Sequence, residues 1–262
     1  MGQTGEYTAR VIRQEALDAD AFLLTLEAPE LAAAAQPGQF AMIGCGSGYD
    51  PFLRRPLSIH RAQSTAGAVS FLYRVRGQGT EWLATRRQGE FVPLLGPLGR
   101  GFRFAGNSRR ALLVGAGIGA APLLFLAEAL AGLNWTLNIL LGARTAHSLF
   151  CRSALERYGR VHAITDDGSA GRRGSVNALL QEALKKGTYA DIFACGPQPV
   201  LQAVQRASAD RGIPAQLSLE ENMACGLGAC MGCTCRGSDP SRMLRVCAEG
   251  PVFDAEEVIL DD

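Results

Sequence analysis

The sequence predicts a multidomain β and α/β protein with three parts: an N-terminal antiparallel six-stranded β-barrel, a central doubly wound parallel sheet and a small cysteine-rich C-terminal segment. Short apolar segments separated by turn residues fill the first hundred or so positions. Strand and helix patterns then alternate, and five of the eight cysteines lie between Cys225 and Cys247. The predicted domains are residues 1–104, 105–215 and 216–262.

Composition narrows the class of protein. Of the 262 residues, 47% are hydrophobic and 19% are charged, which suits a chain with a large buried core. The formal net charge is +1, and lysine and arginine form no block, so we expect no nucleic-acid partner. No apolar stretch follows the first charges of the chain, so we expect a cytoplasmic protein. Persistent disulfides are rare in that compartment.

The barrel is predicted from six strand-like segments. Turn residues such as Pro37–Gly38 and Gly96–Pro97 separate them. Strands at this spacing, without long helical patterns between them, are typical of a small antiparallel barrel. In chain order the segments read YTARVIRQ, AFLLTLEA, QFAMIGC, RPLSIHRA, AVSFLYRVR and EFVPLLGPLG.

Arginines and hydroxyl groups in the barrel form a candidate diphosphate site. Arg55 and Ser58 place a cation and a hydroxyl on one strand, and Arg74 and Arg76 precede a turn at Gly79–Thr80. Guanidinium groups suit the recognition of a diphosphate because they donate hydrogen bonds in pairs. Solvated strand arginines without a ligand are the alternative interpretation.

From Arg109 onward, buried strands alternate with helices. The run from Ala111 to Ala143 carries one charge, Glu128, and is long enough to span a membrane. Glycines and Pro122 in its middle predict a strand, a turn and a helix instead, so we expect no membrane segment. The segments read ALLVGAG, PLLFLAEALAGL, TLNILLGAR, SLFCRSALERYG, VHAITDD, VNALLQEALKK, ADIFACG and PVLQAVQRASADRG.

The loop that contains Gly115, Gly117 and Gly119 is a candidate phosphate-binding turn. It ends a strand and opens a helix, where glycines let the backbone approach a pyrophosphate. Its spacing, G-x-G-x-G-x-x-P, differs from the usual dinucleotide fingerprint. The second strand ends in Arg144, where that fingerprint expects an acidic residue. A glycine-rich turn without a ligand is the alternative.

Two further loops follow predicted strands. Asp166 and Asp167 close the third strand, and the residues after them either contact a ligand or form an ordinary turn. Cys195 and Gly196 close a later strand, at the edge where open α/β sheets bind ligands. A lone cysteine such as Cys195 is more often a buried apolar residue than a reactive one.

The C-terminal cysteines predict a metal centre. Cys225, Cys230 and Cys233 are spaced C-x4-C-x2-C, and Cys247 follows, which is the plant-type [2Fe–2S] pattern. Zinc sites more often pair two short knuckles, and Cys247 has no near partner. We therefore favour an iron–sulfur cluster, with a zinc site and redox disulfides as alternatives. Cys235 is expected to be a bystander.

Seven motifs resemble those of the ferredoxin-reductase-like flavoproteins, and more closely those of the electron-transfer subunits of NAD-dependent dihydroorotate dehydrogenases. In order they are RRPLSI, GQGT, GPLGRGF, GAGIGAAP, DDGSAGRRG, ACGPQPV and CGLGACMGC, and they cover essentially the whole chain. The resemblance implies FAD in the barrel, NADH on the sheet domain and a [2Fe–2S] cluster held by the four cysteines of the C-terminal pattern.

Candidate cofactor-binding residues follow from these motifs. By resemblance, FAD is held by Arg55, Pro56, Leu57, Ser58, Leu72, Tyr73, Arg74, Gly79 and Thr80. The NAD(H) candidates are the loop residues Gly115, Gly117, Gly119, Cys195 and Gly196. Leu57 is a departure, because wider reductases place a flavin-stacking aromatic residue there.

The resemblance implies an electron relay from NADH through FAD and the cluster, or in reverse. No general-base motif surrounds His60, His147 or His162, so this chain is expected to carry no catalytic side chain. The resemblance assigns the carbon chemistry, dihydroorotate to orotate in pyrimidine synthesis, to an FMN-containing partner subunit, in a heterotetramer of two copies of each. The alternatives are the small subunit of an NADH-dependent ferredoxin–NADP reductase or sulfide dehydrogenase, and a non-enzymatic zinc-stabilised nucleotide-binding module.

Overall fold

The structure is a computed structural model, and it describes residues 4–46, 48, 50–106, 109–239 and 241–260. Its N-terminal part is a seven-stranded antiparallel sheet in the order β4-β3-β7-β1-β2-β6-β5. The strands are β1 (Gly5–Ala16), β2 (Ala21–Glu27), β3 (Phe40–Ile43), β4 (Arg55–Ser58), β5 (Arg61–Gln63), β6 (Ala68–Arg74) and β7 (Phe91–Leu98). Two short helices, α1 (Pro29–Ala34) and α2 (Gln78–Ala84), pack against it.

The prediction of six strands was wrong by one, because the segment RPLSIHRA bends. Its first half pairs with β3 and its second half with β6, so it forms both edge strands, β4 and β5. Two backbone hydrogen bonds hold the bend: Ile59 N–H to Gln39 O and His60 N–H to Ser70 O, each 2.9 Å. The sheet therefore curls around an apolar interior, and one chain segment joins its two edges.

The central part is a six-stranded sheet in the order β10-β9-β8-β11-β12-β15. Five strands are parallel: β8 (Arg110–Ala116), β9 (Thr136–Ala143), β10 (Arg160–Thr165), β11 (Asp191–Cys195) and β12 (Ala215–Ser218). The helices are α3 (Leu123–Gly132), α4 (Arg152–Leu155), α5 (Val176–Lys186) and α6 (Gln198–Arg211). The predicted alternation is confirmed, although the second predicted helix is only a single turn.

Alternating side chains of the central strands bury both faces of this sheet. Leu112 and Val114 of β8 pack in the same core as α5 and α6, whereas Ala111 and Leu113 pack with α3. Strand order reverses between β8 and β11, so the carboxyl ends of these two strands flank a topological switch point. Among the described residues, no helix is long and apolar enough to cross a membrane.

The C-terminal segment is shared between two sheets. β13 (Thr234–Gly237), β14 (Met243–Arg245) and β16 (Val258–Ile259) form a small antiparallel sheet. β15 (Val252–Asp254) instead joins the central sheet, antiparallel to β12. The boundary proposed at 215/216 falls inside β12, and both domain boundaries, 104/105 and 215/216, remain predictions.

Candidate cofactor sites

A cleft of about 320 Å³ lies where the three parts of the chain meet. The curled sheet contributes eight of the predicted FAD residues: Arg55, Pro56, Leu57, Ser58, Leu72, Tyr73, Arg74 and Thr80. Gly79, the ninth, packs against Arg55, because a Cβ at Gly79 would lie 2.6 Å from Arg55 Nε. The turn predicted at Gly79–Thr80 is instead the first turn of α2.

The arginines of the cleft differ in how they are paired. Arg74 forms an ion pair with Asp20 and lies 3.3 Å from Ser148 Oγ, so its charge is already balanced. Arg55 and Arg76 form no ion pair with any described residue. A diphosphate in this cleft would therefore find its free positive charge on Arg55 and Arg76.

Residues that the sequence analysis did not assign complete the cleft wall. Ile118 and Pro122 come from the glycine-rich loop, and Glu220, Glu221 and Met223 follow β12. Desolvation by the surrounding protein raises the pKa of Glu220, and the positive charge of Arg76 opposes this rise. The sequence feature that could have identified these residues is the segment SLEE, which lies at the end of a predicted strand and therefore at the ligand-binding edge of the sheet.

The two glycine loops at the switch point touch each other. A Cβ at Gly119 would lie 2.7 Å from Gly196 Cα, so a side chain at this position would force the loops apart. Gly115 is the last residue but one of β8, and Gly117 and Gly119 belong to a short 3-10 turn ahead of α3. Cys195, which precedes Gly196, is buried, and desolvation raises the pKa of its thiol far above the usual range.

The loop after β10 brings two aspartates beside the end of β9. Asp166 N–H donates to Ala143 O at 3.0 Å, and Asp167 N–H donates to Arg144 O at 3.2 Å. Asp167 accepts hydrogen bonds from the Ser169 hydroxyl at 2.7 Å and backbone at 2.9 Å, and these lower its pKa. An ionised carboxylate thus lies beside the end of β9.

The four predicted ligand cysteines occupy one loop and the strand-like segment beside it. Their side chains lie as two close pairs, because Cys230 is near enough to shift the pKa of the Cys225 thiol and Cys233 is near enough to shift that of Cys247. The first pair is half-buried to exposed and the second is buried. Cys235, on β13, is half-buried and outside both pairs.

Backbone N–H groups point at the sulfur atoms of this loop. Leu227 N lies 3.4 Å from Cys225 Sγ, Gly228 N lies 3.1 Å from Cys247 Sγ, and Cys247 N lies 3.5 Å from Cys233 Sγ. Such donors stabilise thiolates, and the Leu227 N–H, with Cys230 and the backbone of Ala229, lowers the pKa of Cys225 to about 6. Burial raises the pKa of Cys247 to about 12, so its proton must leave when it binds a metal.

The paired arrangement distinguishes between the candidate metal centres. Among the described residues, no three or more histidine, cysteine or acidic side chains are arranged around a single ion. A structural zinc ion needs four ligands around one point, whereas a [2Fe–2S] cluster takes two thiolates at each iron. The residues fit the two-iron cluster, in which Cys225 and Cys230 would hold one iron and Cys233 and Cys247 would hold the other.

Comparisons with known proteins agree with this geometry. Residues 220–259 match the iron–sulfur cluster binding domain of dihydroorotate dehydrogenase B, and residues 113–206 match an oxidoreductase NAD-binding domain. The electron transfer subunit of dihydroorotate dehydrogenase B (NAD(+)) from Desulforamulus reducens is 36% identical over 256 residues, 97% of this chain and 98% of the relative. That of Geobacillus thermodenitrificans is 39% identical, over 98% and 99%.

Solved structures give the same fold. A chain from the NADH-dependent reduced ferredoxin–NADP oxidoreductase, solved for a study of flavin-based electron bifurcation, superposes with a TM-score of 0.87 and 27% identity, over 98% of this chain and 91% of that one. A ferredoxin NADP+ reductase from Neisseria gonorrhoeae, solved with FAD and NADP, has a TM-score of 0.65 and 18% identity, over 79% and 92%.

The curled sheet, the switch-point loops and the paired cysteines thus define an oxidoreductase of the ferredoxin-reductase fold with an iron–sulfur segment at its C-terminal end. More narrowly, the chain belongs to the family of electron transfer subunits of dihydroorotate dehydrogenase B (NAD(+)). The resemblance stated from the sequence motifs is confirmed.

Proposed function

We propose that this chain relays electrons between NAD(H), FAD and a [2Fe–2S] cluster, to and from an FMN-containing catalytic subunit that interconverts dihydroorotate and orotate in pyrimidine synthesis. One observation carries the proposal. The wall of the cleft runs directly into the cysteine loop, because Met223 lines the cleft and Cys225 follows two residues later. Two residues of chain span at most about 7 Å, so Met223 and Cys225 lie within that distance of each other. Electrons transfer readily across such a separation.

FAD is assigned to the cleft. Arg55, Pro56, Leu57, Ser58, Leu72, Tyr73, Arg74, Gly79 and Thr80 are proposed to hold it, with Arg76 as a further cation. When bound, a flavin accepts two electrons as a hydride and releases them singly. Leu57 and Leu72 offer apolar surface to the ring, and Arg55 and Arg76 offer charge to the diphosphate.

NAD(H) is assigned to the switch point between β8 and β11. Gly115, Gly117 and Gly119 permit close approach of a pyrophosphate to the backbone, and Cys195 and Gly196 bound the same crevice from the next strand. Ile118 and Pro122 of this loop also line the FAD cleft. The two proposed sites therefore share a wall.

The cluster is assigned to Cys225, Cys230, Cys233 and Cys247, and its exposed edge is proposed to face the partner. Leu227 and Met231 flank the exposed Cys230 and are themselves 57% and 51% exposed. Apolar side chains exposed beside an electron-transfer centre suit a docking surface. A heterotetramer with two copies of each subunit, located in the cytoplasm, is the assembly we propose.

Purification with the natural partner tests this function. The isolated chain should carry FAD together with iron and sulfide, and its complex should contain FMN and reduce NAD+ with dihydroorotate. A preparation without flavin or iron–sulfur absorbance would contradict the relay and favour the zinc-stabilised module. A partner with two [4Fe–4S] clusters and no FMN would contradict the dihydroorotate assignment.

That last outcome would favour the second candidate, the small subunit of an NADH-dependent ferredoxin–NADP reductase. The specific observation in its favour is the TM-score of 0.87 to a chain of such an oxidoreductase. The higher identity to dihydroorotate dehydrogenase subunits, 36% against 27%, favours the first candidate.

A further inference from the structure

The only charged residue in the apolar run from Ala111 to Ala143 is Glu128, in the middle of α3, and no role proposed above uses it. Its carboxylate meets Arg61 of the curled sheet in a two-pronged contact, with Arg61 Nε 3.0 Å from Oε2 and Arg61 Nη2 2.5 Å from Oε1. Tyr158 donates a third hydrogen bond to Oε1 at 3.0 Å. The pair is mostly buried, with side chains 30% and 29% exposed.

A second contact joins the same two elements one residue earlier. His60 Nδ1–H donates to Ala121 O at 2.6 Å, and both residues are buried. Ala121 lies immediately before α3, and Glu128 lies seven residues on, about two helical turns away. His60 thus contacts the backbone just ahead of α3, and Arg61 contacts the middle of the helix.

Arg61 and Glu128 each lie close along the chain to a proposed cofactor site. On the curled sheet, Arg61 is only three residues beyond Ser58, the last residue of the FAD-binding strand β4. On the central sheet, α3 begins directly after the glycine loop proposed for the pyrophosphate of NAD(H). A displacement at the contact would therefore move one cofactor relative to the other.

From this geometry we propose that Arg61 and Glu128 are positioning residues, which set the relative placement of the two proposed cofactor sites without touching either cofactor. The inference rests on the proposed function. It also explains why a charge is retained in an otherwise apolar helix. Bidentate arginine–carboxylate contacts fix orientation as well as distance, and hydride transfer is sensitive to misplacements of about 1 Å.

The test compares Glu128→Ala with Glu128→Gln in the cofactor-loaded chain. Glu156→Ala is the matched control. Glu156 pairs with Arg152 within one helical turn, at 2.9 Å, and is not itself a partner of Arg61 or Glu128. Four quantities are measured on each sample: FAD and iron content, the dissociation constant of NADH, the long-wavelength charge-transfer absorbance between the reduced flavin and NAD+, and the rate of flavin reduction by NADH.

We expect Glu128→Ala to slow flavin reduction by about tenfold to a hundredfold and to weaken the charge-transfer absorbance. Cofactor content and the NADH dissociation constant should stay within about twofold of wild type. Glu128→Gln, which keeps one acceptor oxygen for Arg61 but turns an NH2 group toward the second N–H donor, should lose less of the rate than Glu128→Ala, and Glu156→Ala should match wild type. If Glu128→Ala does not fold, Arg61→Lys, which keeps the charge but loses the fork, should show the same loss to a smaller extent.

A wild-type reduction rate and undiminished absorbance in Glu128→Ala would overturn the inference. An equal loss in Glu156→Ala would also overturn it, because the effect would then not be specific to the contact between Arg61 and Glu128. Absence of FAD from the wild-type chain would instead contradict the proposed function, so the two failures can be distinguished.

Discussion

The backbone N–H of Gly228 donates a hydrogen bond to Cys247 Sγ at 3.1 Å, across nineteen positions of the chain. Gly228 adopts a φ of +79°, and a Cβ there would lie 2.9 Å from the Cβ of Ala248. Arg245 Nη1 holds the same residue from the other side, 2.9 Å from Gly228 O. The glycine thus lets the loop approach the turn after β14, which carries the fourth cysteine.

Gly228→Ala should therefore impair cluster assembly. Left-handed backbone costs a residue with a side chain about 1–2 kcal/mol, and the contact with Ala248 adds to it. We expect a lower iron and sulfide content per chain and faster cluster loss on warming. Gly232→Ala is the control, since its Cβ would meet only Cys230 Sγ, at 3.6 Å, and Gly232 has no positive φ. Equal cluster content in the two variants would contradict this account.

Exchange of single cysteines separates ligands from the bystander. Cys247→Ser should abolish the [2Fe–2S] absorbance and electron paramagnetic resonance signal, because one iron loses a thiolate. Cys235→Ser should retain both, since Cys235 belongs to neither cysteine pair. Iron analysis of the two proteins, purified in parallel, makes the measurement. An intact cluster in Cys247→Ser would mean that Cys235 replaces it.

Local patterns account for what the sequence could predict. The cysteine spacing involves one loop and one residue nearby in the chain, so it could be recognised without a structure. The apolar strands β8 and β9 were equally clear because parallel strands buried on both faces carry continuous apolar runs.

Contacts between distant segments could not be predicted from the sequence. The bend at Ile59 and His60, which splits one predicted strand into two, depends on partners on two other strands. β15 has three residues, too few for any periodicity, yet it extends the central sheet. Met223 and Glu220 reach the cleft only because β12 ends beside the curled sheet.

The cleft arginines make an affinity prediction. Arg76 forms no ion pair with a described residue, so Arg76→Gln should weaken FAD retention by about tenfold or more, as expected for loss of a charge-assisted hydrogen bond. Arg74→Gln should weaken it less, because Asp20 already balances that charge. FAD content after dialysis at increasing salt measures both. Arg10→Gln, whose partner Glu27 lies on the sheet surface, is the control. A larger loss in Arg74→Gln would reverse the assignment.

Acid should weaken the contact between Arg61 and Glu128. Hydrogen bonds from Arg61 and Tyr158, with the nearby charge of Arg157, outweigh the effect of burial and hold the pKa of Glu128 below its ordinary value of 4.5. A carboxylate with a lowered pKa stabilises the fold fully above its unfolded pKa, and loses that contribution as the pH falls through the folded value. The difference in unfolding free energy between wild type and Glu128→Gln should therefore shrink below about pH 4.5.

Urea unfolding of both proteins at several pH values measures that difference. Because the other carboxylates are common to both chains, their titration cancels in the comparison. A difference that stays constant from about pH 7 to about pH 4 would show that the charge of Glu128 does not contribute.

Nucleotide preference follows from the carboxylates beside the end of β9. Arg172, which could otherwise meet a 2′-phosphate, is paired with Glu182 at 2.6 Å, and Arg173 Nε donates to Asp166 O at 3.0 Å. The ionised Asp167 adds negative charge at the same edge. We therefore expect NADH to bind more tightly than NADPH, because the extra phosphate meets the Asp167 carboxylate and the charge of Arg172 is already paired with Glu182. Asp167→Asn should raise the affinity for NADPH and leave that for NADH nearly unchanged. Flavin reduction at varied concentrations of each nucleotide gives both values, and a wild-type preference for NADPH would contradict the assignment of this edge to the adenosine ribose.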